Sequence, residues 1–471
     1  MTESTRKLSL SLLSHTNVGK TTLARTLLRR DVGEVLDQTH VTREATAHIL
    51  LSTREGAELL LWDTPGFGDS VRLARELGDE PDPLRWVREC QIDARIERAR
   101  HSSYEAVKSV DAESDVILYL VNAAEYPEDA GYVEAEMQIL TWIGKPVLVL
   151  LNQTGPPREE ELAADEVRWR EHLARWKVVR KVIGLDAFTR CWVQEGRLLE
   201  EVRDVLDEPA RELAGRFVEA WRLERQEVFR ESMELFAGEL ARAAHDEELL
   251  VEGAWGNDKN QAMKALAGRL ETGSSEVVDR LIALHGLDGR SSVDLRTALA
   301  DFATSAEKLT PKRWGVMGGV ATGLLGGLTA DIASGGLSFG SGMVLGALAG
   351  GAGAAGVAKA YNTVRSGESA RVRWTDPVLT RTATHFLLRY LAVAHFGRGR
   401  GGWREREAPA FWRREVNAAV ESRAVYFRGV WKAARGTNVD LNAQRAALAP
   451  LLTGSARDVL ARFYPEARHL I

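Results

Sequence analysis

The chain has 471 residues, 45% of them apolar and 27% charged, with a net charge of −5. That length suits two or three domains of ordinary globular composition, and the acidic balance gives no electrostatic reason to expect a specific nucleic-acid partner. The two cysteines, Cys90 and Cys191, read as reduced, partly buried thiols in a reducing cytosol. The opening residues M-T-E-S-T-R-K-L lack the apolar core and cleavage pattern of a signal peptide, so none is expected.

Residues 8–14 alternate as a strand should, and 20–30 have helical periodicity. Between them stands Asn17-Val18-Gly19-Lys20-Thr21-Thr22. Strand, tight loop and helix with Gly-Lys-Thr at the helix start make a phosphate cradle. Loop amides point at anionic oxygens, Lys20 adds a point charge, and Thr21 offers a hydroxyl to Mg²⁺. In the pattern G-x-x-x-x-G-K-[ST] the first glycine is replaced by Ser14, so Ser14, His15 and Thr16 complete the expected loop. A polar loop from Asp31 to Ala45 follows with Thr39, Thr42 and Thr46, of which Thr42 is the favoured switch threonine and Thr39 and Thr46 are the alternatives. Residues 47–53 and 57–63 flank R-E-G as a hairpin. The second strand ends in Asp63-Thr64-Pro65-Gly66. A carboxylate there can hold Mg²⁺ through water, and a glycine three residues on lets its N–H approach a γ-phosphate.

Residues 68–112 are charged and mostly helical in pattern, long for a connection, and a candidate lever or dimer surface. Val116–Val121 and Pro146–Leu151 are continuous apolar runs, as buried parallel strands should be. The second ends in Asn152-Gln153-Thr154-Gly155. Residues 182–185 form a last short strand before Asp186-Ala187-Phe188. The alternation predicts a doubly wound, mostly parallel sheet with ligand loops at its carboxyl edge.

These motifs resemble the small GTPases of the translation-factor class, and within it the Era/TrmE-like branch, over residues 1–205. Asn17–Thr21 matches N-V-G-K-[ST], Val41-Thr42-Arg43 matches part of the T-T-R switch, and Asp63–Gly66 matches D-T-P-G. The resemblance implies a P-loop GTPase domain that binds GTP or GDP with Mg²⁺. It implies Thr21, Thr42 and Asp63 around the metal and Lys20, Asn17 and Thr42 as catalytic. Ser14 to Thr22, Asp63, Gly66, Asn152, Gln153, Asp186 and Ala187 would contact nucleotide. Two departures stand out. Gly155 occupies the position whose aspartate reads guanine in the family, which removes the usual ground for preferring guanine over adenine. Phe67 follows Gly66 where Ras-type enzymes place a water-orienting glutamine, so the family's K⁺-assisted hydrolysis, with Asn17 as K⁺ ligand, is the expected substitute.

Residues 206–310 are expected to be a helical domain, with apolar residues at three and four spacing through 216–230 and 233–244. From Trp314 to Ala358 the one charged residue is Asp331. Gly319, Gly323 and Gly327 form one glycine ladder, and Gly342, Gly346 and Gly350 another. Glycine is a poor helix former, so helices this rich in it imply close backbone packing, a glycine-zipper helical hairpin over 311–363. Its arms would reach about 26 and 33 Å, against a hydrocarbon thickness of about 30 Å. Lys312, Arg313, Lys359 and Arg365 flank it, which would keep both ends cytoplasmic. Residues 364–471 return to helical pattern, including an apolar face from Pro377 to Phe396.

The whole organisation is similar to bacterial GTPases with a C-terminal domain of unknown function. It implies a cytoplasmic protein, peripheral to or inserted at the cytoplasmic face of the inner membrane. Its partners would be nucleotide, lipid or an inner-membrane protein, and a second copy of itself. The expected function is a nucleotide switch acting through its helical half. The alternatives are a ribosome- or RNA-associated GTPase and a nucleotide-binding scaffold with little turnover.

Overall fold

The computed structural model describes residues 7–29, 45–90, 92, 97–152, 159–185, 191–250, 257–287, 361–366, 369–396, 410–436 and 440–471. They divide into two compact units. The first runs to Gln226, with His395, Phe396 and Leu470 added, and the second begins at Glu227. The boundary expected at 205 falls just after α7 (Trp192–Asp204), whereas the first unit extends into α8 (Ala210–His245).

The first unit is built on six strands: β1 (Lys7–Ser14), β2 (Thr46–Ser52), β3 (Glu58–Asp63), β4 (Val116–Asn122), β5 (Val147–Asn152) and β6 (Val179–Gly184). Their order is β2-β3-β1-β4-β5-β6, with β2 antiparallel to β3 and the other pairs parallel. β1 therefore lies inside the sheet, where both faces are covered. It fits because its polar positions are small: Ser11 and Ser14 are buried beside Leu10, Leu12 and Leu13. β4 and β5 are buried almost throughout, as their unbroken apolar runs require. Around the sheet lie α1 (Lys20–Leu28), α2 (Ser70–Gly78), α3 (Pro83–Glu89), α4 (Arg98–Glu113), α5 (Gly131–Ile143), α6 (Glu159–Leu173) and α7. The charged segment after Asp63 is thus three helices. Asp69 and Asp82 cap α2 and α3, accepting from the N–H of Arg72 and Arg85. Glu76 then binds the segment together, accepting from Arg72 at 3.0 Å, Arg100 at 3.1 Å and the Tyr104 hydroxyl at 2.7 Å.

The second unit takes the rest of α8, α9 (Asn257–Leu284), α10 (Asp376–Ala394), α11 (Ala410–Glu421), α12 (Ala424–Ala433) and α13 (Leu441–Phe463). It is not helical throughout. β7 (Glu247–Leu250), β8 (Tyr361–Ser366) and β9 (Ser369–Trp374) form an antiparallel sheet of order β7-β9-β8. The C-terminal half is otherwise largely helical, as expected, and the strand β7 corrects the helical reading of 206–310 at that point. Tyr361 to Thr363, the last residues of the expected hairpin segment, are strand. β9 explains the sheet: Val372 and Trp374 turn inward, while Arg371 and Arg373 meet Glu247 of β7 at 2.6 and 2.9 Å. The helices close over an aromatic core in which Phe236 stacks on Phe386 and Phe229 meets Tyr390. The glycine ladders at 319–350 lie outside the described residues. Among the described residues no helix is long and apolar enough to cross a membrane.

Candidate functional site

The site forms where β1 ends in the middle of the sheet. Gly19 is the N-cap of α1 with φ 99, a left-handed conformation that a Cβ would strain. Asn17 is also left-handed, φ 66, and exposed at the loop tip. Asparagine tolerates that conformation better than most residues, so the backbone alone selects its type there. Val18 and Thr22 are buried. The Asn152 amide, at the end of β5, donates to the Val18 carbonyl at 2.7 Å. Asn152 therefore braces the loop from the neighbouring strand end, a contact the sequence pattern does not announce.

The third strand delivers its carboxylate to the same place. Asp63 pairs in register with Leu12 of β1, and Thr21 Oγ1 donates to Asp63 Oδ2 at 2.8 Å. The other oxygen, Oδ1, is buried and has no hydrogen-bond partner among the described residues. Burial pushes the Asp63 carboxyl above its ordinary pKa, against the pull of Thr21 and Lys20. A buried carboxylate oxygen without a donor, beside a hydroxyl, is the donor set a hard divalent cation takes. The residues present fit Mg²⁺ on this ground.

Lys20 lies under the D-x-x-G turn. Its Nζ donates to Ser14 Oγ at 2.9 Å. A Cβ on Gly66 would stand 2.6 Å from that Nζ, so no other residue fits there without moving Lys20. Burial pushes the Lys20 ammonium down to about 8, with Asp63 and Glu136 pulling it back up. The turn is also laced to the loop by backbone: Phe67 N–H donates to the Ser14 carbonyl at 3.0 Å and Thr16 N–H to the Phe67 carbonyl at 3.1 Å. Ser102 Oγ donates to the Gly66 carbonyl at 2.7 Å. Phe67 itself is buried in the hydrophobic core, where its ring orients nothing at the phosphates.

His15 departs from expectation. Its place in the loop suggested a phosphate contact. Instead Nδ1 meets Glu136 Oε1 of α5 at 2.8 Å, and the ring stacks on Tyr132 at 4.4 Å. Glu136 is fully buried, and its second oxygen accepts from the Tyr119 hydroxyl. Burial first, then the Glu136 charge, pushes the Tyr119 hydroxyl well above its ordinary pKa, so it stays a donor. Sequence reasoning missed Glu136, although the signal was present. It shares the apolar face of Val133, Met137 and Leu140, where a carboxylate needs a reason. Ser102 and Ser103 were also missed; Ser103 Oγ accepts from the N–H of Gly68 and Asp69 at 3.0 Å each. Thr42, Gln153, Gly155, Asp186 and Ala187 lie outside the described residues.

A buried lysine and a carboxylate–hydroxyl pair around a left-handed glycine, at the carboxyl edge of this sheet order, define a P-loop GTPase domain. Residues 10–153 match the family model of the 50S ribosome-binding GTPase, a match that supports GTP binding and hydrolysis by this domain. Residues 170–451 match the family model described as domain of unknown function (DUF3482). That match spans more than half of the chain, which belongs to this family. No curated protein matches the chain. Similar solved structures include Era in complex with MgGDPNP and a 16S ribosomal RNA fragment, at 18% identity, covering 49% of this chain and 67% of that one, with a TM-score of 0.32. An Era variant from Aquifex aeolicus bound to GDP.AlF4- has 16% identity, covers 58% and 90%, and scores 0.31. A chain of an oligomerised bacterial dynamin pair has 10% identity, covers 98% and 69%, and scores 0.24.

Proposed function

We propose that the protein is a nucleotide switch: it binds and hydrolyses GTP at the first unit, and its C-terminal half reads the result. The observation that carries the reading is the Thr21–Asp63–Lys20 cluster beneath Gly66. In it Thr21 and Asp63 hold Mg²⁺, with Thr42 as the switch ligand. Mg²⁺ would neutralise charge on the phosphate oxygens. Lys20 and the amides from His15 to Thr22 bind and orient the phosphates, and the Gly66 N–H senses the terminal one. Asn152, Gln153, Asp186 and Ala187 form the base end. The Era/TrmE-like assignment rests on Asn17 to Thr21 and Asp63 to Gly66. The K⁺ reading rests on Asn17 and on Phe67, which stands where Ras-type enzymes place a water-orienting glutamine.

The glycine-rich segment 311–363 is the candidate contact with lipid or an inner-membrane protein, argued from its composition and flanking charges. On this reading the protein works in a bacterial cytoplasm, at the inner membrane's cytoplasmic face, and a second copy is a candidate partner. A second reading, a nucleotide-binding scaffold with little turnover, has the burial of Phe67 in its favour.

Phosphate release from GTP and ATP, in K⁺ and in Na⁺ buffers, tests these readings, with Lys20→Ala as control. GTP turnover abolished by Lys20→Ala supports the switch. Nucleotide binding without turnover selects the scaffold. Equal rates in Na⁺ and K⁺ remove the K⁺ role of Asn17. Vesicle flotation with GTP, with GDP and without nucleotide tests the membrane part, and recovery in the soluble fraction under all three conditions would count against it.

A further inference from the structure

Gly66 and Gly68 flank Phe67 in the turn after Asp63, and two glycines leave its backbone a wide choice of course. Polar contacts of the backbone therefore set its shape, and they come from two sides. The P-loop holds Phe67, whose N–H donates to the Ser14 carbonyl at 3.0 Å and whose carbonyl accepts from the Thr16 N–H at 3.1 Å. On the other side stand two consecutive serines near the start of α4. Ser102 Oγ donates to the Gly66 carbonyl at 2.7 Å. Ser103 Oγ accepts from the N–H groups of Gly68 and Asp69 at 3.0 Å each.

The Ser103 hydroxyl is used in full. Its proton goes to the Ala99 carbonyl at 3.2 Å, which leaves both lone pairs for the two N–H groups. Both serines are buried, so truncating either strands backbone groups away from water. α4 itself is braced. Its Arg100 and Tyr104 donate to Glu76 of α2, and its Lys108 Nζ donates to the Cys90 carbonyl beyond α3 at 2.9 Å. One donor of the turn stands apart. The N–H groups of Phe67, Gly68 and Asp69 all have acceptors, whereas that of the buried Gly66 has none among the described residues. A buried N–H without an acceptor is rare in a folded protein, and this one is where D-x-x-G meets a terminal phosphate.

We propose that Ser102 and Ser103 are positioning residues for the terminal phosphate of the nucleotide. From α4 they fix the turn on both sides of Phe67 and hold the Gly66 N–H in place before the phosphate arrives. Binding then need not order the turn, which saves affinity. That role rests on the reading of the first unit as a GTP site. GDP has no terminal phosphate and makes no use of the Gly66 N–H, so the two serines matter to GTP and not to GDP.

The test is a pair of titrations on the full chain with Mg²⁺, one with GDP and one with the non-hydrolysable analogue GDPNP. Ser102→Ala and Ser103→Ala should each weaken GDPNP by about threefold to tenfold, the scale of a lost hydrogen bond, and leave GDP unchanged. Ser102→Thr keeps the hydroxyl and should keep the wild-type ratio of the two affinities. A ratio that neither alanine variant moves overturns the role, whether or not the thermal midpoint falls. Equal loss of both nucleotides marks the serines as supports of the fold and overturns it too. Should one alanine variant fail to fold, the other decides by the same ratio. Wild type that binds neither nucleotide overturns the GTP reading, and this role with it. Wild type that binds both, with a ratio indifferent to the serines, overturns the role alone.

Discussion

Arg29 Nη2 donates to Glu195 Oε2 at 2.9 Å, joining the end of the P-loop helix to α7 across 166 residues of chain. Arg29 is the C-cap of α1, in the left-handed conformation, and the segment carrying Thr42 follows it. Glu195 is buried, and its Oε2 also lies 3.5 Å from Nε1 of Trp221, on the first-unit part of α8. Trp221 in turn fills the space that a side chain at position 196 would need. The helix that starts at the phosphates is thereby tied, through one carboxylate, to α7 and to the first-unit part of α8.

That pair should behave as a buried ion pair. Arg29→Ala takes one cation away from the largely buried Glu195 carboxylate, and is expected to cost about 3 kcal/mol in urea unfolding. Glu195→Gln should cost less, because the amide oxygen still accepts. A double-mutant cycle with both changes should recover much of the loss, since neither residue is then a buried lone charge. Fully additive losses would mean that the two side chains do not interact.

Glu136 is predicted to hold the P-loop from behind. Glu136→Ala removes the acceptor of the buried Tyr119 hydroxyl and of His15 together, and should cost about 2–4 kcal/mol. Glu136→Gln keeps an acceptor and should lose less. If His15 depends on Glu136 for its position, both variants also weaken nucleotide binding, more than their distance from the phosphates would suggest. Unfolding curves and nucleotide titrations on the same samples separate the two effects.

Gly66→Ala should separate folding from function. The new methyl would stand 2.6 Å from Lys20 Nζ and 3.3 Å from the Ser14 carbonyl. A lysine tip can move, so the fold should lose only about 1 kcal/mol, an ordinary value for a tight substitution. The displaced ammonium can no longer serve the phosphates. Nucleotide affinity should fall by about tenfold or more, the scale of one charge-assisted contact. Retained affinity would show that Lys20 can serve from another rotamer.

What was legible in the sequence is what is local. β1, the loop and α1 lie within 22 residues, from Lys7 to Leu28, and their periodicities and Gly19-Lys20-Thr21 announce them. Asp63 was legible because a D-x-x-G turn at the end of an apolar strand has few other meanings. β7 was not, because Glu247–Leu250 follows α8 directly and is completed only by β9, more than a hundred residues on. β9 carried a signal, the alternation of Ala370, Val372 and Trp374 with Arg371 and Arg373, but the helical pattern after it overrode the reading. The direction of His15 was illegible for a different reason. Position in a loop says nothing of side-chain rotation, and the partner that decides it, Glu136, lies 121 residues away.

Lys20 gives the sharpest prediction with pH. Its folded pKa of about 8 lies below the ordinary 10.5, because burial disfavours the ammonium. A depressed lysine pKa means that the folded protein gives up a proton that the unfolded chain keeps. Between about pH 8 and 10.5 the stability contribution of this group therefore rises with pH, and below 8 the buried ammonium costs its full penalty. Bound phosphate reverses the preference by supplying the negative charge that the ammonium lacks. Nucleotide binding above pH 8 should thus take up a proton at Lys20. Affinity should be flat below about pH 8 and fall above it, at a slope approaching tenfold per pH unit. Calorimetry just above pH 8, in two buffers of different ionisation enthalpy, reads that proton directly. Lys20→Met should bind weakly and without the linkage, and a Met variant that kept the same proton uptake would move the titration to another group.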